Sequence, residues 1–370
     1  LVNIYRELTF TSAADADIKR ENANIDADTS MGTMLKYGSE GANYFVDNYI
    51  LPKDIAAAHI NGDIHIHDKD FYMLTETCCQ IDLVKLFHDG FSTGHGFIRQ
   101  PKSIASYAAL ACIAIQANQN EMHGGQSVPN FDYAMAEGVA CTFRKEYYDA
   151  VQRYFWLEYD CENVLGEAFR SALKDAMPDR INMSNIDDHE ELLVQWLLET
   201  GEQWLGKTPA EEEIRRCHKT SIRIAMKETD QATYQAMESL IHNLNTMNSR
   251  AGAQVPFSSI NYGTCTSPEA RMAMKNLLKV TDIGLGNGET AIFPVQIFKV
   301  KESTIIRVIR IMICSVWQLK YPQSDCSRTS ALSMHRLICL TTKKVITIQR
   351  LPIWDVVPEL WEIITTPPRK

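Results

Sequence analysis

Glycine, phenylalanine and asparagine are missing from the last 69 residues of this 370-residue chain, and alanine occurs there once. All 18 glycines lie in residues 1–301. At that density about four would be expected in the tail, where tight turns need positive φ. Charge breaks at the same place: residues 302–370 carry 10 Lys and Arg against 5 Asp and Glu, a net of +5, and residues 1–301 carry 27 against 41, a net of −14. Long apolar runs are also lacking. None approaches the roughly 20 residues that span a bilayer, and no signal-peptide pattern opens the chain. Membrane insertion is therefore not expected. The overall charge of −9 gives no footprint for non-specific nucleic-acid binding. Ten cysteines are too sparse for a disulfide scaffold and point to a reducing, cytoplasmic setting. The first residue is Leu1, as expected of a chain that starts inside a longer reading frame.

What is present has the pattern of an α/β protein. Helices are expected over 33–60, 103–122, 131–158, 188–200, 209–247 and 267–283, from apolar residues at helical spacing and good N-terminal chemistry such as Pro209 followed by three glutamates. Residues 1–30 suggest a short helix or an extended lead-in. Strands are expected at 62–68, 255–262 and 292–300, from alternation or a short apolar run. Gly124-Gly125-Gln126-Ser127-Val128-Pro129 reads as a loop. Long helices interleaved with short strands indicate α/β packing.

Several groups could carry chemistry. His65-Ile66-His67-Asp68 puts two imidazoles on one strand face, which suits a metal such as zinc and a hydrolase. The blander alternatives are a hydrogen-bonded strand end or a substrate contact without metal. Cys78-Cys79 are either buried small hydrophobes or include one redox-active thiol facing a cleft. They are poor partners for each other, because a vicinal bridge is strained. Gly284-Leu285-Gly286-Asn287-Gly288 misses the G-x-G-x-x-G spacing and follows a helix, so a dinucleotide site is not expected. Cys112, Cys141, Cys161, Cys217 and Cys265 show no C-x-x-C spacing.

Taken together, Asn22-Ala23-Asn24, Gly62 to Asp68, Thr77 to Asp82, Pro101-Lys102-Ser103, Gly124 to Met135, Asn248 to Ser259 and Gly286 to Phe298 resemble the anaerobic (class III) ribonucleoside-triphosphate reductases. The likeness covers most of residues 1–301. It implies a ten-stranded α/β barrel of two half-sheets wrapped by helices, usually dimeric. It implies reduction of ribonucleoside triphosphates for DNA synthesis, with formate as reductant and a glycyl radical made by a radical-SAM activase. A relay cysteine removes the ribose 3′ hydrogen, the 2′ hydroxyl leaves as water, and a second cysteine faces the other side of the ribose. That second cysteine corresponds to one of Cys78 and Cys79. Substrate contacts would come from His65, His67, Asp68, Gly125, Gln126, Ser127, Asn248 and Ser249. dNTP and ATP effectors are further implied partners, with a specificity site at the dimer interface on helices that 101–160 would retain. A non-catalytic nucleotide-binding dimerisation module is thus an alternative to the enzyme, beside the metal-dependent hydrolase.

Three parts of the family pattern have no match: the N-terminal ATP cone, the glycyl radical segment and the four-cysteine structural zinc site. No cofactor is expected to be bound by this fragment. The tail offers a reason. Plausible codons for Ile311 to Leu319 (ATT ATG ATC TGT TCC GTT TGG CAA TTG), regrouped by one base behind the end of the Arg310 codon, read Asn-Tyr-Asp-Leu-Phe-Arg-Leu-Ala-Ile. The same shift over Lys343 to Leu360 yields Met-Gly-Cys-Arg, the setting of the relay cysteine, with its codon straddling Asp355 and Val356. A one-base offset between about Glu302 and Ile305 is therefore expected. Residues 1–301 would be the N-terminal part of the catalytic barrel. Residues 302–370 would be an out-of-frame tail, disordered or unreliable, leaving an open edge at 292–300 and an inactive chain.

Overall fold

The computed structural model describes residues 2–10, 29–71, 78–178, 180–248, 250 and 254–300, together with the backbone of strands 338–341 and 345–347. The chain opens with α1 (Val2–Phe10) and α2 (Ser30–Phe45). Thr29 caps α2 by accepting from Gly32 N at 3.0 Å. The helix runs on through a wide turn, Val46–Ile50, and stops at Leu51, which is extended. Pro52 follows and disfavours helical geometry in the residue before it. α3 (Lys53–Ile60) starts beyond it. One expected helix over 33–60 is thus two helical segments.

The strand expected at 62–68 is a run of turns instead. Gly62 (φ 83°) and Asp68 (φ 50°) both take positive φ, which breaks an extended run despite the alternating sequence. Lys69 then anchors the segment, with Nζ 2.7 Å from both carboxylate oxygens of Asp47.

The sheet begins at β1 (Cys79–Gln80). α4 (Leu83–Asp89) follows, capped by Asp82, and then a hairpin of β2 (Phe91–Ser92) and β3 (Phe97–Ile98). Next come α5 (Ile104–Asn118), β4 (Gln126–Val128) and α6 (Phe131–Tyr159). α7 (Glu167–Ala176), α8 (Glu190–Leu205) and α9 (Glu211–Thr246) lead to β5 (Ser258–Tyr262). α10 (Pro268–Ile283), β6 (Val295–Val300), β7 (Ile338–Thr341) and β8 (Val345–Thr347) complete the order. The main sheet runs β1-β4-β5-β6-β7-β8, parallel throughout except for the last pair.

The α/β class expected from the sequence holds. Among the described residues the strands make one open six-stranded sheet and the separate β2–β3 hairpin, not a closed barrel. Two expectations change. Residues 124–129 are not all loop: β4 lies between two paired strands, and three residues are too few to display a period. The edge expected to be open at β6 carries β7, with Ile297 level with Ile338. Apart from the backbone of β7 and β8, the expectation of a disordered tail falls outside the described residues.

Alternate residues of the sheet face the helices. Val128, Ile260 and Tyr262 are buried on that side with α5, α6, α9 and α10. α5 is rich in alanine, which brings it close to α6. A Cβ at Gly138 would lie 2.8 Å from the Tyr107 ring, so this crossing requires glycine. A second core lies farther along the same long helices, where Phe143, Tyr147, Phe155, Phe169, Leu193 and Ile214 are buried together. α6 and α9 thus belong to both cores.

Candidate active site

β1 separates the two adjacent thiols. Cys79 N donates to Gly125 O at 3.2 Å and Ile81 N to Ser127 O at 2.8 Å, so the ladder with β4 brackets this strand. Successive strand residues face opposite sides. Cys79 faces the helices: its Sγ lies 3.3 Å from Met122 Sδ and 2.9 Å from Asn118 Nδ2. The same Asn118 amide donates to Gln126 Oε1 at 2.8 Å, and Gln126 is buried. Cys78 is exposed, and the alternation puts it with Gln80 on the other, open face.

The register assembles that face. Gln80, Ser127 and Ser259 stand level on β1, β4 and β5, and Ser259 is level with Val295 on β6. Asn261 is two residues farther along β5, and its Oδ1 is buried with no hydrogen-bond partner among the described residues. Lys299, on β6, donates to Pro129 O at 2.7 Å. The face is therefore polar along β1, β4 and β5, while Val295 and Ile297 of β6 make part of it apolar.

The histidine turn packs against His123, in the loop after α5. His65 Nε2 is 3.4 Å from His67 Nδ1, and His67 Nε2 is 3.3 Å from Asp68 Oδ2. Asp68 Oδ1 is 3.1 Å from His123 Nδ1, within ion-pair reach but off the line of a hydrogen bond. His123 stacks on Phe71 at 4.1 Å and directly follows Met122, so the turn is tied to the helix side of Cys79. Arg250 secures the same loop, donating to Met122 O at 3.0 Å and Gln119 O at 3.4 Å. Burial holds its guanidinium below the usual arginine range.

Of the residues expected to contact substrate, Ser127 lies on the open face and Gly125 is level with Cys78 in the ladder. Gln126 is turned to the helices. His65 and His67 are exposed on the turn, and Asn248 is exposed beyond the end of α9. Ser249 lies outside the described residues. Sequence reasoning missed Asn118, Met122, His123 and Arg250, and also Ser259, Asn261 and Lys299. Arg250 and Ser259 lie inside the resembling segment Asn248 to Ser259 without having been singled out, and only the strand alternation of 255–262 and 292–300 could have pointed to Asn261 and Lys299.

Among the described residues, no three His, Cys, Asp or Glu side chains gather as a metal ion would need. Asp68 is turned toward His67 and His123 rather than completing a ligand set with His65. The structural zinc implied by the resemblance has no holder among these residues. No helix among them is long and apolar enough to cross a membrane.

A basic cavity of about 380 Å³ lies on the α5–α6–α7 side, lined by Lys102, Arg144, Lys145, Tyr148, Arg170 and Lys174, with Cys141. Arg170 pairs with Asp149 at 2.6 Å and Lys145 with Glu146 at 3.0 Å. Lys102 and Lys174 make no ion pair among the described residues. Burial pushes the Cys141 thiol up, although Arg144 lies 3.0 Å from its sulfur.

The family model for anaerobic ribonucleoside-triphosphate reductase matches residues 21–318. Anaerobic ribonucleoside-triphosphate reductase of Escherichia coli K12 is 24% identical over 291 residues, 78% of this chain and 32% of its own. The enzyme of that name from Enterobacteria phage T4 is 25% identical over 296 residues, 77% and 37% respectively. A solved anaerobic ribonucleotide reductase superposes with TM-score 0.45 and 11% identity, over 92% of this chain and 43% of that one. The chain thus spans about a third of the length of the curated relatives it matches.

Proposed function

This chain belongs to the anaerobic ribonucleoside-triphosphate reductase family, and from that premise we propose that the open face of its sheet is the nucleotide-reducing face, with Cys78 as its thiol. The observation that carries this choice is the separation of the two cysteines. Cys79 is half-buried against Met122 and Asn118 on the helix side, whereas Cys78 is exposed beside Gln80, Ser127 and Ser259. A ribose laid on this face meets neutral hydroxyl and amide groups, which suit sugar hydroxyls, and a thiol that can give up its hydrogen to the ring.

The substrate would be a ribonucleoside triphosphate, and formate the ultimate reductant. Radical chemistry at the ribose 3′ position would be supplied by a glycyl radical and a relay cysteine, for which no described residue stands. A radical-SAM activase, a second copy of the chain as dimer partner and a cytoplasmic setting belong to the same proposal.

A second site supports an effector role. The basic cavity offers two cations that make no ion pair among the described residues, Lys102 and Lys174, beside Arg144, Lys145 and Arg170. The triphosphate of a dNTP or ATP effector suits that concentration of positive charge.

The experiment is alkylation of the full chain by iodoacetamide, read at Cys78 by mass spectrometry, with and without ribonucleoside triphosphate. Slower labelling of Cys78 with nucleotide is expected. An unchanged rate would overturn the assignment of this face.

A further inference from the structure

We propose that Lys299 is the residue that holds the phosphate end of a ribonucleoside triphosphate on the open face, with Asn261 beside it accepting a hydrogen bond from the same ligand. The inference rests on reading that face as the reducing face.

Lys299 is placed there by its strand. Gln296 faces the helices, where it accepts from Tyr262 OH at 2.7 Å and donates to Thr281 Oγ1 at 2.7 Å. Residues 295, 297 and 299 therefore face the other way. Lys299 Nζ has one partner, the Pro129 carbonyl at 2.7 Å, and no carboxylate among the described residues. The other polar side chains of that face (Gln80, Ser127, Ser259 and Asn261) are neutral. An ammonium has three donors, so two remain for a ligand once Pro129 is satisfied.

Asn261 supplies an independent sign of a missing partner. Val128 is level with Ile260, so Pro129 is level with Asn261. The Lys299 ammonium, bound to Pro129 O, reaches back across β5 to this level. The buried Oδ1 of Asn261 has no donor among the described residues, although buried acceptors are nearly always paired. A ligand hydroxyl, or the ammonium itself once re-aimed by a phosphate, would satisfy it.

The position fits a nucleotide. Lys299 and Pro129 lie at the carboxyl ends of parallel strands, where ligands of α/β sheets bind. From the level of Cys78 to that of Pro129 is four residues, about 13 Å along the strands. A triphosphate chain covers such a span from its ribose, and the neutral row of Gln80, Ser127 and Ser259 lies between. Lysine binds phosphate as a point charge, which needs no second basic residue.

The test uses the full chain and the Cys78 alkylation readout, with CTP and inorganic tripolyphosphate as probes. Lys299→Met is expected to raise the CTP concentration for half-protection by about ten-fold, and Lys299→Arg to recover most of the loss. Lys227→Met, exposed on α9, should leave protection unchanged. Circular dichroism and the unprotected labelling rate check that each variant is folded. Equal CTP protection in wild type and Lys299→Met would overturn the role of Lys299 and leave the face assignment standing. No protection by CTP in the wild type would overturn both.

Discussion

The Cys79 sulfur lies 3.3 Å from the Met122 thioether on the helix-covered side of the sheet, while its neighbour Cys78 is exposed. The two thiols should therefore differ in chemistry. In the folded chain iodoacetamide should label Cys78 at least about ten times faster than Cys79, because alkylation needs an accessible thiolate. Peptide mapping after short exposure measures the ratio. Equal rates would show that both thiols share one environment. No Cys78–Cys79 disulfide is expected under mild oxidation.

Asp132 is a structural carboxylate. It is 1% exposed, and its Oδ2 accepts from the backbone N–H groups of Gly263, Thr264 and Cys265 at 2.9, 2.9 and 2.8 Å. Removing it leaves three donors without their acceptor. Asp132→Ala should cost about 3–5 kcal/mol, and Asp132→Asn less, since an amide oxygen can still accept. Urea unfolding gives both numbers. A loss below about 1 kcal/mol for the alanine variant would mean that water replaces the clamp.

His218 should make the helical core sensitive to acid. Tyr147 OH lies 2.9 Å from His218 Nδ1, both groups buried. Burial pushes the imidazole below its ordinary value and raises the tyrosine well above its own, so the phenol donates to a neutral ring. The folded state binds the histidine proton less readily than the unfolded chain does. Its contribution to stability is therefore complete above about pH 6.5 and is lost as pH falls below that value toward the folded pKa. Urea midpoints between pH 8 and 5 should fall on the acid side, and His218→Gln should flatten that fall. An unchanged slope in the variant would place the acid sensitivity elsewhere.

The basic cavity should bind dATP in a salt-sensitive way. Lys102→Ala with Lys174→Ala should weaken binding by about ten-fold at low ionic strength and by less at 0.5 M salt, where surface attraction is screened. Calorimetric titration measures both. Undiminished affinity in the double variant would remove the cavity from effector binding.

The tail yields a genetic prediction. Resequencing the DNA around codons 302–305 should reveal a one-base offset, and the corrected frame should read Met-Gly-Cys-Arg beyond it. An intact frame would remove the idea. The chain as it stands should form no deoxynucleotide with activase and formate, and detected product would overturn that.

Much of the helical framework was legible in the sequence. α5, α6, α9 and α10 fall within a few residues of their expected spans because each has a sustained apolar period or a clear start, such as Ser267-Pro268. The errors lie where the backbone, not the pattern, decides. His65-Ile66-His67 alternates like a strand, but Gly62 and Asp68 turn the chain at both ends. β4 is three residues long, too short to announce itself. The choice between Cys78 and Cys79 needed the ladder to β4, and Asn261 and Lys299 needed the register of β5 and β6. Facing is a property of paired strands, and no single strand's sequence contains it.

α6 holds 29 residues and α9 holds 36, about 44 and 54 Å of continuous helix. Both pass through the sheet core and the distal aromatic core, and Asp132 bolts the start of α6 to the exit of β5. Arg144 and Lys145 of the basic cavity and Asp132 of the bolted corner all stand on α6, so the cavity and the exit of β5 are joined by one continuous helix and not by a loop.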